Sequence, residues 1–410
     1  MSGPRSDGSG RVLSPNLVAY LVARFCAGTA TMLLRAGILW HVFALSGSAF
    51  HLGLVGVVQF VPALGLVLIG GAMADTHDRR RIMMAAQGAA LAAALVLCAA
   101  TRAGAVSLPL LYAVVLAIAI TTSFDNPARA ALLPTLVPRA ILPRVVTIAS
   151  TNQALAFATG PALAGMLIAA AGIGAVYWVF AVLVAGSIAA MLFLTPAREE
   201  PSARAPSLAA IREGLGFVRR RQPILGCMVL DMLAVIFGGA TALLPMYADH
   251  ILHVGPRGYG LLSSAAEIGA LVTALALTLA PPIRAAGRAL LAAVVLFGLA
   301  TIVFGLSRSF PLSLAAYVLV GMADQVSVVM RHTTIQLSTP DALRGRVSGV
   351  NLLFIGASNQ LGAAESGFLA ALTSAPFAVV SGGVACLAVV AIVALTMPEL
   401  RRYRTDARPH

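Results

Sequence analysis

Six charged side chains fall inside long apolar runs of this sequence: Arg24, Arg35, Asp231, Glu267, Asp324 and Glu365. A charge at membrane depth is expensive and is kept where it carries ions, protons or a conformational signal. Arg24 and Arg35 are eleven residues apart. That is about three helical turns, so they share a face with Gly28 and Thr31 and form a polar stripe. Asp231 lies about eight residues into its apolar run, as Arg24 does into the first, so both sit roughly 12 Å from the same end. Glu267 is near the middle of its run, where lost hydration penalises a carboxylate and suits it to carrying a proton. Asp231 and Glu267 are the foremost proton-site candidates. Arg24 and Asp231 are expected either to face each other across a cavity, coupling its opening to protonation, or to make separate local contacts. Asp324, two turns before Arg331, and Glu365, at a depth similar to Arg35, read as partners for arginine. Other chemistry is missing. There is no phosphate-binding glycine loop of the nucleotidase type. His41, His51, His77, His250, His253 and His332 are scattered at helix ends and loops, and His250 and His253 have no third ligand nearby in sequence. No metal or cofactor is expected, and an enzyme is excluded. Cys26, Cys98, Cys227 and Cys386 fall in apolar runs at spacings that match no metal motif, so free thiols are expected.

These groups need membrane helices to hold them. The chain has 410 residues, 59% hydrophobic and 10% charged, with mean hydropathy +0.92. Soluble proteins carry about 25% charged residues. The fold class is therefore all-α and polytopic. Twelve transmembrane helices are predicted at 16–44, 51–73, 80–101, 107–125, 143–171, 174–195, 223–248, 257–280, 288–307, 310–331, 345–373 and 376–397. The net charge of +13 comes from arginine, the basic residue of this sequence, placed mostly in the loops between apolar runs, so it points to no nucleic acid. Twenty-three arginines fall on one side of these spans, Arg331 among them, and Arg102, Arg257 and Arg308 on the other. By the positive-inside rule both termini and the 74–79 loop are cytoplasmic. Residues 1–15 form a Gly/Ser/Pro-rich tail, and the apolar run that follows is too long for a signal peptide.

The runs divide into an N-terminal half (16–195), a linker (196–222), a C-terminal half (223–397) and a tail (398–410). In the linker, Leu208, Ile211, Leu215 and Val218 recur at helical spacing after a capping Ser207, which reads as an amphipathic helix on the inner leaflet. A shift of 202 residues superposes Arg129 on Arg331, Pro138 on Pro340, Arg144 on Arg346 and Gly160 on Gly362. Two six-helix halves of the same topology follow, with a substrate site between them near the midplane.

The loop Gly70 to Ile82 (GGAMADTHDRRRI) interrupts the apolar chain with two acids and three arginines. It resembles the loop motif of the major facilitator superfamily of transporters. In that family the loop is a conformational latch, which here implicates Gly71, Asp75, Arg79 and Arg80, with Asp125 as the natural partner of Arg79 and Arg129 beside it. Asp78 stands where the family has glycine. The segments Phe124 to Pro138 and Arg331 to Arg346, and Arg24, are similar to the branch containing the bacterial enterobactin exporter and macrolide efflux proteins. Gly160, Pro161 and Gly165 resemble the exporter motif of the fifth helix, which kinks and thins it. The resemblance implies a monomeric inner-membrane exporter, embedded in the lipid bilayer, that exchanges a small hydrophobic or amphipathic molecule, a drug or siderophore, for protons. A metabolite importer and a non-transporting sensor or scaffold are the alternatives.

Overall fold

In the computed structural model, residues 14–138, 140–194, 208–281 and 283–406 are described, and among them there is no strand. The first half comprises α1 (Pro15–Ser46), α2 (Ala49–Thr76), α3 (Arg79–Arg102), α4 (Leu108–Leu132), α5 (Leu142–Ala171) and α6 (Ile173–Leu192). A linker helix, α7 (Leu208–Arg220), leads into the second half. That half holds α8 (Gln222–Gly238), the single turn α9 (Leu244–Met246), α10 (Gly255–Leu279), α11 (Ala286–Leu306), α12 (Phe310–Ser338), α13 (Asp341–Leu372), α14 (Ala375–Thr396) and the short α15 (Pro398–Arg402). Among the described residues, ten segments are long and apolar enough to cross a membrane. α2 and α13, of 28 and 32 residues, fill the two remaining predicted intervals.

Local sequence sets the helix ends. Ser14 caps α1 ahead of Pro15, whose missing N–H is one that no first turn can satisfy. Gly47, at φ 60°, takes the left-handed turn that closes α1. Asp78 accepts from the backbone N–H of Arg80 (2.9 Å) and of Arg81 (3.3 Å), so it caps α3. The carboxylate that replaces the family's glycine thus has its own structural reason.

The helix packing repeats. α1 lies on α5 and α6, α2 on α4, and α3 on α4 and α6; likewise α8 lies on α13 and α14, α10 on α12, and α11 on α12 and α14. The halves are joined chiefly by α2 on α13 and α5 on α10. Both pairs are joined near the arginine-poor end. A Cβ on Gly53 would lie 3.1 Å from the carbonyl oxygen of Ala364 and 3.1 Å from the Cα of Gly367. One on Gly260 would lie 2.8 Å from the Cα of Gly165. Gly349, Gly356 and Gly367 share one face of α13, since steps of seven and eleven residues return close to the same direction. Gly367 is packed on α2, yet Gly349 and Gly356 have no neighbour within 4 Å of such a Cβ. The α2–α13 seam therefore parts toward the arginine-rich end.

Three elements depart from the sequence-based expectation. α4 continues past Asp125 and through Pro127 to Leu132. Proline leaves the carbonyl four residues back, that of Ser123, without its helical N–H, and Gly70 of α2 packs directly against that oxygen. α12 runs to Ser338, so Arg331 is not a loop arginine but lies inside the helix, 3% exposed. The seventh span is broken. After α8 come a 3₁₀ stretch (Ala240–Leu243), α9 and a π-helical turn (Tyr247–Ile251), a break that the Gly238-Gly239 pair and Pro245 could have signalled.

The linker helix packs on protein as well. Ser207, the expected cap, lies outside the described residues. Gly214 sits against the Arg346 backbone, Glu213 forms an ion pair with Arg346, and Val218 is 0% exposed among Ile224, Met228, Ile335, Val347 and Val350. Leu215 faces outward. α7 is therefore docked on α8 and α13, not resting on lipid alone. Val218→Asp would place an unpaired charge in that cluster, so α7 is expected to undock. Limited trypsin digestion reads this as much faster cleavage at Arg219, Arg220 and Arg221 than in the wild type, while the membrane core stays intact.

Candidate functional site

The intramembrane charges form two polar clusters, one in each half. In the first half Arg24 reaches from α1 to the side-chain oxygen of Gln153 on α5, and its other Nη donates to the Tyr20 hydroxyl at 3.0 Å. Tyr20 in turn donates to the Arg129 carbonyl (3.3 Å) on α4. The Arg129 guanidinium holds Asp125, which also accepts from Gln87 of α3 at 3.2 Å. Four helices are tied through one chain of contacts. Asp125 thus meets Arg129, one turn along its own helix, in place of the expected Arg79.

Arg79 and Arg80 serve other acceptors. Arg79 donates to the carbonyls of Ala74 (3.2 Å) and Ala131 (3.0 Å), and Arg80 to that of Leu192 (2.9 Å). Ala131 and Leu192 are in the last turns of α4 and α6. Their carbonyls have no helical partner and carry the negative end of the helix dipole. The loop arginines therefore bracket the ends of α2, α4 and α6 within one half. Gly71 lies in the last two turns of α2, and Asp75 is the penultimate residue of that helix.

In the second half Asp231 of α8 forms an ion pair with Arg331 of α12. Both are buried, Asp231 at 7% exposure. Arg24 and Asp231 thus make separate local contacts, the second of the two expected arrangements, and Arg331 takes an acid from another helix where Asp324 on its own helix was expected. A small cleft beside the pair is lined by Asp231, Ala234 and Val235 of α8, Val294 and Phe297 of α11, and Asp324 and Ser327 of α12. Glu365 of α13 accepts from the neighbouring Ser366 hydroxyl (3.2 Å), which also reaches the Gly239 carbonyl at the break in the seventh span. Glu365 makes no ion pair among the described residues. The Arg129–Arg331 repeat is visible here: both arginines occupy the fourth helix of their half, but one takes its acid from its own helix and the other from the first helix of its half.

Arg35 of α1 and Glu267 of α10 form no ion pair among the described residues. The Tyr317 hydroxyl of α12 meets that of Thr241 at 3.1 Å. Beyond them, toward the arginine-poor end, Tyr259 donates across the halves to the Ala36 carbonyl (2.9 Å) and packs on Trp40 with ring centroids 5.3 Å apart. Phe43 meets His250 edge-on. The helix-5 motif borders the same closure. Gly160 packs on α1, with a Cβ placed there only 2.8 Å from the Leu33 nitrogen and the Thr29 oxygen. Pro161 presents its carbonyl to Gly260, and Gly165 meets Gly260 backbone to backbone. Sequence reasoning missed Gln87, Gln153, Tyr20 and Tyr259. They are single polar groups in apolar runs, and that alone was the available signal.

The pattern of the family described as transmembrane secretion effector matches residues 17–410. Among curated proteins, the enterobactin exporter EntS of Escherichia coli O1:K1 / APEC is 26% identical over 398 residues, covering 95% of this chain and 94% of its own. EntS of strain E24377A is 25% identical, over 95% and 94%. Two solved structures share the fold. A bacterial homologue of the human lysosomal transporter Spinster, inward-facing and unoccupied, has a TM-score of 0.69 at 15% identity over 96% of this chain and 97% of its own. The D323A mutant of the nucleoside transporter NupG has a TM-score of 0.74 at 11% identity over 94% and 99%.

Proposed function

Because this chain belongs to the transmembrane secretion effector family of the major facilitator superfamily, we propose that it exports a small hydrophobic or amphipathic molecule, of the drug or siderophore class, in exchange for protons. It is a multi-pass membrane transporter and not an enzyme. The bacterial inner membrane, cytoplasmic termini and action as a monomer complete this reading. One observation carries it: the halves close backbone to backbone at the arginine-poor end, while the α13 glycine face opens at the other. By the positive-inside rule the open end faces the cytoplasm, the side from which an exporter loads. The likeness to an enterobactin exporter over 95% of the chain supports the same direction.

The test is a panel of macrolides and catecholate siderophores in a strain without its own pumps, followed by uptake into energised inside-out vesicles. Accumulation that a protonophore collapses is expected. Uptake into right-side-out vesicles alone would overturn export and favour a metabolite importer. Accumulation that survives the protonophore would overturn proton coupling.

A further inference from the structure

We propose that Asp324 is the residue that takes up and releases the coupling proton, and that the Asp231–Arg331 pair is the fixed frame beside it. The proposal rests on the proton-exchange reading above and assigns it to one carboxyl among the intramembrane acids.

The cleft between α8, α11 and α12 brings two carboxyls and one guanidinium together. Fully ionised, Asp231, Asp324 and Arg331 sum to one negative charge in a low-dielectric interior, so one proton makes the group neutral. Asp231 is a poor place for it. Protonating Asp231 would strip its partner from Arg331 and leave a buried, unpaired cation. Asp324 has no ion pair among the described residues. It lies seven residues before Arg331, two turns or about 10 Å along the same face of α12. Ser327 lines the same cleft, and its hydroxyl makes no hydrogen bond among the described residues. It is therefore available to hold the Asp324 carboxyl or a water that delivers the proton.

The charged groups around Asp324 are few. Asp231 shares the cleft from α8, Glu267 is carried by α10, which packs on α12, and Arg331 lies on its own helix; α11 contributes only Val294 and Phe297 to the cleft. Glu267 forms no ion pair among the described residues either, but it does not line this cleft. Of the two carboxyls that do, Asp324 is the one without a fixed cation. The step transfers one proton onto a carboxylate oxygen of Asp324 and later returns it to water, with no other bond made or broken.

Infrared spectroscopy of the purified protein in lipid, titrated from alkaline to acid pH, tests this without any cargo. The wild type is expected to gain the carbonyl band of a protonated carboxyl. Asp324→Asn should lose that component, and Asp324→Glu should keep it at a displaced frequency. Asp231→Asn alone is expected to fold poorly, so the Asp231→Asn/Arg331→Gln double variant is used, and it should retain the band. A band that persists in Asp324→Asn, or vanishes only in the double variant, overturns the assignment. So does the lack of any Asp324-dependent band combined with thermal stabilisation by sodium but not choline, which would make sodium the ion. If Asp324 titrates as proposed but vesicle uptake ignores the protonophore, the assignment stands and proton coupling of export falls.

Discussion

Asp231→Asn is expected to lower stability by about 3–5 kcal/mol, the cost of leaving a buried charge without its partner. Arg331 is 3% exposed and inside the protein it has no other carboxylate among the described residues. Its Nε also lacks a hydrogen-bond partner, so the pair already satisfies it incompletely. Removing the remaining charge contact leaves the guanidinium buried, with its chain neighbour Met330 in the apolar core of the second half. The measurement is thermal unfolding in detergent, with recovery of monodisperse protein as a second readout. Replacing both residues, by Leu at 231 and Met at 331, should recover most of the loss, because apolar substitutes for a buried ion pair are often neutral or better. A single variant as stable as the wild type would show that the two side chains do not depend on each other.

The second large effect is expected at Gly260→Leu. Any Cβ there would lie 2.8 Å from the Cα of Gly165 and from the Pro161 carbonyl, and both are backbone atoms that no rotamer change can move. Leucine cannot enter unless α5 and α10 separate. The closed arrangement at the arginine-poor end should then be lost, and export should fall by tenfold or more, a penalty of about 1.4 kcal/mol per tenfold. Trp40 reports the closure directly. The chain has two tryptophans, so a Trp178→Phe background isolates the one that packs on Tyr259. Its emission should shift to the red and become open to quenching in Gly260→Leu. An unchanged spectrum with normal export would remove the seam from any part in the transport cycle.

Much of this was legible in the residues, and the boundary is physical. Apolar length and arginine placement depend on composition along the chain, and the helices occupy the predicted intervals. The loop arginines 79 and 80 were picked out by their density, because few sequences place three arginines between apolar runs without a use for them. Partner choice was not legible. Asp231 could reach Arg24 or Arg331 at similar depth, and only the rotation of α8 about its axis decides, which local sequence does not encode. Asp125 took Arg129 for a different reason: a four-residue spacing on one helix brings the two groups together whatever the tertiary packing. That rule was available, and the pull of a more distant partner obscured it. The sequence of α7 fits a membrane-surface helix equally well, because an apolar face looks the same whether lipid or protein covers it.

The backbone-to-backbone seams carry a consequence for the environment in which the protein works. No ion pair among the described residues bridges the halves. Contacts such as Gly53 on Gly367 and Gly165 on Gly260 hold by dispersion, and they need no long side chain to be ordered each time they form. Dispersion is indifferent to dissolved ions, whereas the charges gathered at the other end are screened over about 8 Å at physiological salt. The face turned to the medium should therefore shut equally well in dilute and saline surroundings. Sensitivity to ionic strength is left to the face turned to the cytoplasm, where the cell itself keeps salt within narrow limits.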